Sequence, residues 1–145
     1  VALAALLAAC GARGDAPPAP LDTANEACRW CRMAVSDPRF AAQIAAPGEE
    51  PLFFDDVGCL REYLRGEGEP APPAVAYVAD HRTRAWVRAR EAGYTRVPSL
   101  QTPMGSHLVA HADAASREAD REAAGGTPLT AADVFGPGGP PGERR

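Results

Sequence analysis

The chain has 145 residues, with 15 basic residues against 19 acidic ones, a net charge of −4 and a pI near 5.3. That is the size of one small acidic domain and excludes a large multidomain enzyme. All the basic residues are arginines interspersed with acids, so no basic block is present to track a phosphate backbone, which argues against a nucleic-acid partner.

Residues 1–9 are wholly apolar, too short to span a bilayer, and stop at Ala8-Ala9-Cys10-Gly11. They read as the end of a signal peptide lacking its charged start, hence as a truncated precursor. The small pair before Cys10 is similar to a bacterial lipoprotein signal, in which the cysteine is lipidated and becomes the new N-terminus. An ordinary secretory signal cleaved nearby is the alternative. Residues 11–27 read as a flexible Pro/Ala tether, 28–135 as the folded domain, and the Gly/Pro-rich 136–145 as a disordered tail. Acyl chains on Cys10 would hold the domain at a membrane, outside the cytoplasm, since each buried methylene adds about 0.8 kcal/mol.

Along the folded region, Phe40 to Ile44 and Pro51 to Phe54 are β-prone runs separated by Pro47-Gly48, which predicts a hairpin. Asp55 or Asp56 then caps a helix from about Val57 to Leu64, ended by Gly66 and Gly68. Ala74 to Val78 and Ala85 to Val87 suggest a second hairpin around a His81-Arg-Thr-Arg84 turn, with His81 a solvated turn residue. Tyr94 to Val97 and Leu108 to Ala110 read as further strands, and Asp113 caps a helix to about Ala124. Runs of strands with helices between them favour an α+β fold.

The chemistry concentrates in Cys28-Arg-Trp-Cys31-Arg-Met33, which places three sulfur donors within six residues. Thiolate and thioether ligands select Cu(I), whereas Mg, Ca or Mn sites are built of oxygen. The second of the two methionines lies in Thr102-Pro-Met-Gly105, a setting that presents Met104 on a turn. His107 and His111 follow it, each divided between a surface role and a ligand. Cys59 falls at the start of the first predicted helix, where the helix N-terminus favours thiolate. A disulfide between Cys28 and Cys31, or of either with Cys59, is the competing reading; with Cys10 lipidated an odd thiol remains, which favours a metal or reactive role.

Cys28-x-x-Cys31-x-Met33 with Asp37 and Phe40-Ala-Ala-Gln43, then Phe54-Asp-Asp-Val-Gly-Cys-Leu60, then Thr102-Pro-Met-Gly-Ser106, all behind a lipoprotein-like signal, resembles the NosL family of nitrous oxide reductase accessory lipoproteins. The resemblance implies two small β-β-α-β modules. It also implies a non-enzymatic copper chaperone that faces the periplasm, is lipid-anchored through Cys10 to the bacterial membrane, the outer one, and binds one Cu(I). Its implied partners are apo nitrous oxide reductase, whose catalytic copper centre receives the ion, and the membrane-bound NosDFY maturation complex. Carried onto this sequence, the metal residues are Cys28, Cys31, Met33 and Met104, joined by Cys59 and by His107 as a departure from the family's usual small or apolar residue. A periplasmic thiol–disulfide oxidoreductase using Cys28 and Cys31, or a zinc-stabilised lipoprotein, would use the same residues differently.

Overall fold

A computed structural model describes residues 14–137, so Cys10, the signal segment and nearly all of the C-terminal tail lie outside the described residues. Two antiparallel sheets and three helices make up an α+β fold. The first holds β1 (Ala42–Ala45), β2 (Leu52–Phe54), β3 (Val75–Ala79) and β4 (Trp86–Arg88) in the order β2-β1-β3-β4, with α1 (Val57–Glu67) between β2 and β3. The second holds β5 (Gly93–Arg96), β6 (Leu108–His111) and β7 (Thr127–Leu129) in the order β6-β5-β7, with α2 (Ala114–Ala119) between β6 and β7 and α3 (Ala131–Phe135) following. Both units therefore run β-β-α-β with their first strand in the centre, the architecture expected from the family resemblance.

Local chemistry accounts for the elements. Gly48 takes a left-handed φ of 75° in the β1–β2 turn, a conformation that glycine adopts without steric cost, and sets the register Ile44 against Leu52. Asp56, the second of the two capping candidates, starts α1 by accepting the Gly58 N–H at 2.6 Å. The helix runs one turn past Leu64, through Gly66, and ends on Gly68, whose N–H donates to the Leu64 carbonyl at 2.8 Å. The sheets meet where Asp80 bridges Ala110 in parallel and the His81 N–H donates to the Ala110 carbonyl at 2.9 Å. One core spans both units, joining Phe54, Leu60 and Val78 of the first to Tyr94, Leu108 and Val134 of the second.

Three expectations change. The helix predicted from Asp113 to Ala124 ends at Ala119, because the Asp120 carboxylate accepts the Glu122 N–H at 3.0 Å and two histidine side chains instead of facing solvent on a further turn. β7 and α3 then form in a stretch read without secondary structure; α3 carries a capping box in which the Thr130 and Asp133 side chains each accept the other's backbone N–H. Finally, the described part of the expected tether is fastened to the first sheet: the Tyr77 hydroxyl donates to the Ala16 carbonyl at 2.6 Å, and the Gln43 side-chain amide pairs with both backbone groups of Ala19.

Candidate metal centre

The Cys28–Met33 turn is closed by the Cys28 N–H donating to the Met33 carbonyl at 2.7 Å, with Arg32 at a φ of 69°. The Arg29 N–H ties this turn to the Phe53 carbonyl of β2 at 2.7 Å. β2 runs directly into Asp55 and the cap of α1, so the turn faces the first turn of the helix. Cys28, Cys31, Asp55 and Cys59 converge there, with one ligand-type atom from each within 4.8 Å of the others, and the three cysteines are free thiols. Cys28, Cys59 and Asp55 are buried, while Cys31 reaches the surface. The Cys31 Sγ lies 3.4 and 3.3 Å from the two Asp55 oxygens and donates to them.

Electrostatics favour a single thiolate in this pocket. The Cys59 thiol hydrogen-bonds the Cys28 sulfur, and the N–H groups of Cys31 and Asp55 add to it, which holds the Cys28 pKa down to about 4. Cys59 is pushed up by that same bond to Cys28, by burial and by the Asp55 charge. The thiolate expected at the helix start is thus favoured on Cys28, lowered by its neighbours, over Cys59, which the same contact raises. Burial, with the neighbouring Cys28 and Asp55, pushes Cys31 up to about 12. Burial and the Cys28 sulfur raise Asp55 to about 6.

Met104 lies on a loop clamped to this helix start. Its N–H donates to Asp56 Oδ2 at 2.9 Å, and the Gly105 N–H closes the turn onto the Thr102 carbonyl at 3.0 Å. Gly58 permits this approach, since a Cβ there would lie 2.7 Å from the Ser106 Cβ. Among the described residues, the exposed large apolar side chains are Trp30, Met33 and Met104, all on the two loops beside the thiols. His107 is not brought to the sulfurs: it belongs to neither donor cluster, and its Nδ1 lies 2.8 Å from the Leu100 carbonyl oxygen. Sequence reasoning missed Asp55, because an Asp-Asp pair before a helix is explained by capping alone.

A second cluster escaped it almost entirely. His81, His111 and Asp120 are buried, with ligand-type atoms within 4.8 Å of one another. His81 is therefore no solvated turn residue: its backbone belongs to the β3–β4 turn, but its ring packs 5.2 Å from the Phe40 ring and pairs with Asp120. Although burial raises the Asp120 pKa, donation from His111 and His81 leaves it below the usual carboxylate range.

Three soft sulfurs and a carboxylate in a largely buried pocket that favours a thiolate suit a monovalent soft cation such as Cu(I). The NosL family model matches residues 18–136. The chain belongs to the NosL family. No curated protein and no solved structure matches it. NosL membership and this donor pocket together make the chain a copper chaperone in nitrous oxide reductase maturation, a carrier and not an enzyme. No helix among the described residues is long and apolar enough to cross a membrane.

Proposed function

We propose that this NosL chain carries one Cu(I) on Cys28 and Cys31, with Cys59 completing the sulfur set, and delivers it to the catalytic copper centre of apo nitrous oxide reductase together with the NosDFY complex. The observation that carries this reading is the convergence of three free cysteines in one pocket, next to two solvent-reaching thioethers. Cys28 supplies the first thiolate, and Asp55, in contact with the Cys31 sulfur, takes the proton that Cys31 loses as it binds. Met33 and Met104 line the open side, where a thioether can hold the ion while a partner's ligand replaces a thiolate. Low coordination keeps the ion both tightly held and exchangeable. Trp30 between the two thiols, with the two methionines, gives the partner an apolar contact around the exit.

Lipidation of Cys10 places the carrier on the periplasmic side, at the outer membrane, with the residues before Asp15 as the link. Copper transfer tests the reading. Cu(I)-loaded chain mixed with apo reductase and NosDFY-bearing membranes is expected to load the reductase, whereas free Cu(I) held by a chelator of equal affinity does not. Reductase that gains no copper from the loaded chain would overturn the delivery role. Cys10→Ala should move the chain from the membrane to the soluble fraction with its Cu(I) stoichiometry intact, and retention on membranes would overturn the anchor.

Asp55 as a fourth donor favours one other reading, a closed Cys3Asp zinc site, because structural zinc takes four such ligands. In that case zinc, and not Cu(I), would raise the melting temperature at matched free-ion concentrations.

A further inference from the structure

Copper carriage leaves the second buried cluster without a role. His81, His111 and Asp120 are 2%, 0% and 6% exposed and come from the β3–β4 turn, the end of β6 and the end of α2. We propose that these three residues form a second metal site, for a divalent first-row ion of the zinc class, bound between the two sheets and independent of the thiol pocket.

In the metal-free protein both imidazoles point at a single oxygen. His81 Nδ1 lies 2.6 Å and His111 Nε2 lies 2.9 Å from Asp120 Oδ2, and an ionised carboxylate can only accept, so both of these nitrogens carry their proton. The opposite nitrogens, His81 Nε2 and His111 Nδ1, are buried without any hydrogen-bond partner. Two such orphans in one small site call for an explanation, since buried polar atoms are nearly always paired. Ligation supplies it for His81, whose second nitrogen then carries a proton towards Glu122, while His111 Nδ1 takes up a proton without an acceptor among the described residues. Each ring proton moves to the opposite, bare nitrogen, and the vacated lone pairs of Nδ1 and Nε2 meet the ion together with the Asp120 carboxylate. No net proton is gained or lost in this exchange.

The surroundings fit that arrangement. The proton relocated to His81 Nε2 faces Glu122 Oε2 at 4.0 Å, and Glu122 is held in place by Arg39 at 3.0 Å. A carboxylate behind a ligating imidazole fixes its tautomer and raises its basicity. Two imidazoles and a carboxylate, without sulfur, are a borderline-to-hard set that suits divalent zinc, cobalt or nickel, whereas Cu(I) prefers the thiols. Three protein donors leave a position open for water. His111 also borders a surface pocket with Tyr94, Asp113 and Arg117.

The test is a cobalt(II) titration, under reducing conditions, of the full chain already loaded with one equivalent of Cu(I). One further equivalent should bind, with ligand-field bands of a nitrogen and oxygen site and no sulfur-to-cobalt charge transfer. His81→Gln should abolish it. Glu122→Gln, at an exposed position that does not threaten folding, should weaken it by roughly tenfold, the usual cost of removing a carboxylate behind a metal-bound histidine. Neither variant should alter Cu(I) binding. No uptake of a second ion, sulfur charge-transfer bands, or equal cobalt affinity in wild type and Glu122→Gln would each overturn the proposal.

Discussion

The thiol pocket and the histidine–aspartate pocket are both buried donor clusters, but they are assembled at different ranges. Cys28 and Cys31 share one turn, Asp55 and Cys59 straddle one helix cap, and the Arg29 N–H to Phe53 bond joins the two pieces, all inside the first β-β-α-β unit. The histidine–aspartate pocket takes His81 from the first unit and His111 and Asp120 from the second, so it exists only when the two sheets are docked. The first is thus a local, soft, partly open site suited to passing an ion on. The second clamps the two halves of the molecule together, with or without a metal. Removing a donor from one should cost copper affinity, and removing a donor from the other should cost stability.

The sharpest break is Cys28→Ser. Losing the most readily ionised sulfur should weaken Cu(I) by more than about 100-fold, beyond the usual effect of changing a ligand's supporting group, while a competitor titration of Asp120→Ala shows Cu(I) affinity unchanged. Urea unfolding should give the converse result. Asp120→Ala leaves two buried imidazole N–H groups without an acceptor and should lose about 2–3 kcal/mol, with Cys28→Ser nearly neutral.

Acid titration separates the pockets by sign. Asp55 has a folded-state pKa near 6, above its ordinary value of 3.8, because burial disfavours its charge. Its ionisation therefore destabilises the metal-free fold at neutral pH, and that cost fades as pH falls from 6 to about 4. Asp55→Asn should be the more stable protein at pH 7 and lose that advantage over this window in pH-dependent urea melts. Asp80, beside the histidine cluster, runs the other way. Burial raises it, but the Ala112 and Thr83 N–H groups hold it down to about 2. The stability it contributes is complete above pH 4 and is lost as pH falls towards 2. The smallest effect belongs to the rim. Met104, nearly half exposed at 45%, can be cut to alanine without unfolding the domain and should weaken Cu(I) by about tenfold or less, or roughly 1.4 kcal/mol. Gly58→Ala, which touches no metal, should reproduce part of that loss by pushing Ser106 and the Met104 loop away from the helix start.

The same difference in range decided what the sequence could reveal. Local signals were legible: Pro47-Gly48 for the first hairpin, the Asp55-Asp56 pair for the cap of α1, Cys28-x-x-Cys31 for a turn that gathers thiols. Asp55 was hidden because its neighbour's capping role explained the pair, and the proton order of the three thiols depends on distances that no spacing encodes. His81 was misread because its backbone does sit in a turn while its side chain crosses to another sheet. Asp120 was hidden inside an alanine-rich helical pattern that its own hydrogen bonds cut short. β7 and α3 follow Gly125-Gly126 and contain Pro128, which mask them, although Thr130-x-x-Asp133 is a readable start signal.

The most direct test of the central claim is an anaerobic titration of the reduced chain with Cu(I) against a chromogenic competitor, with zinc added in parallel. The account predicts one tightly bound Cu(I) that excess zinc does not displace and that Cys28→Ser fails to hold. Weak Cu(I) binding, or copper released stoichiometrically by zinc, would contradict it.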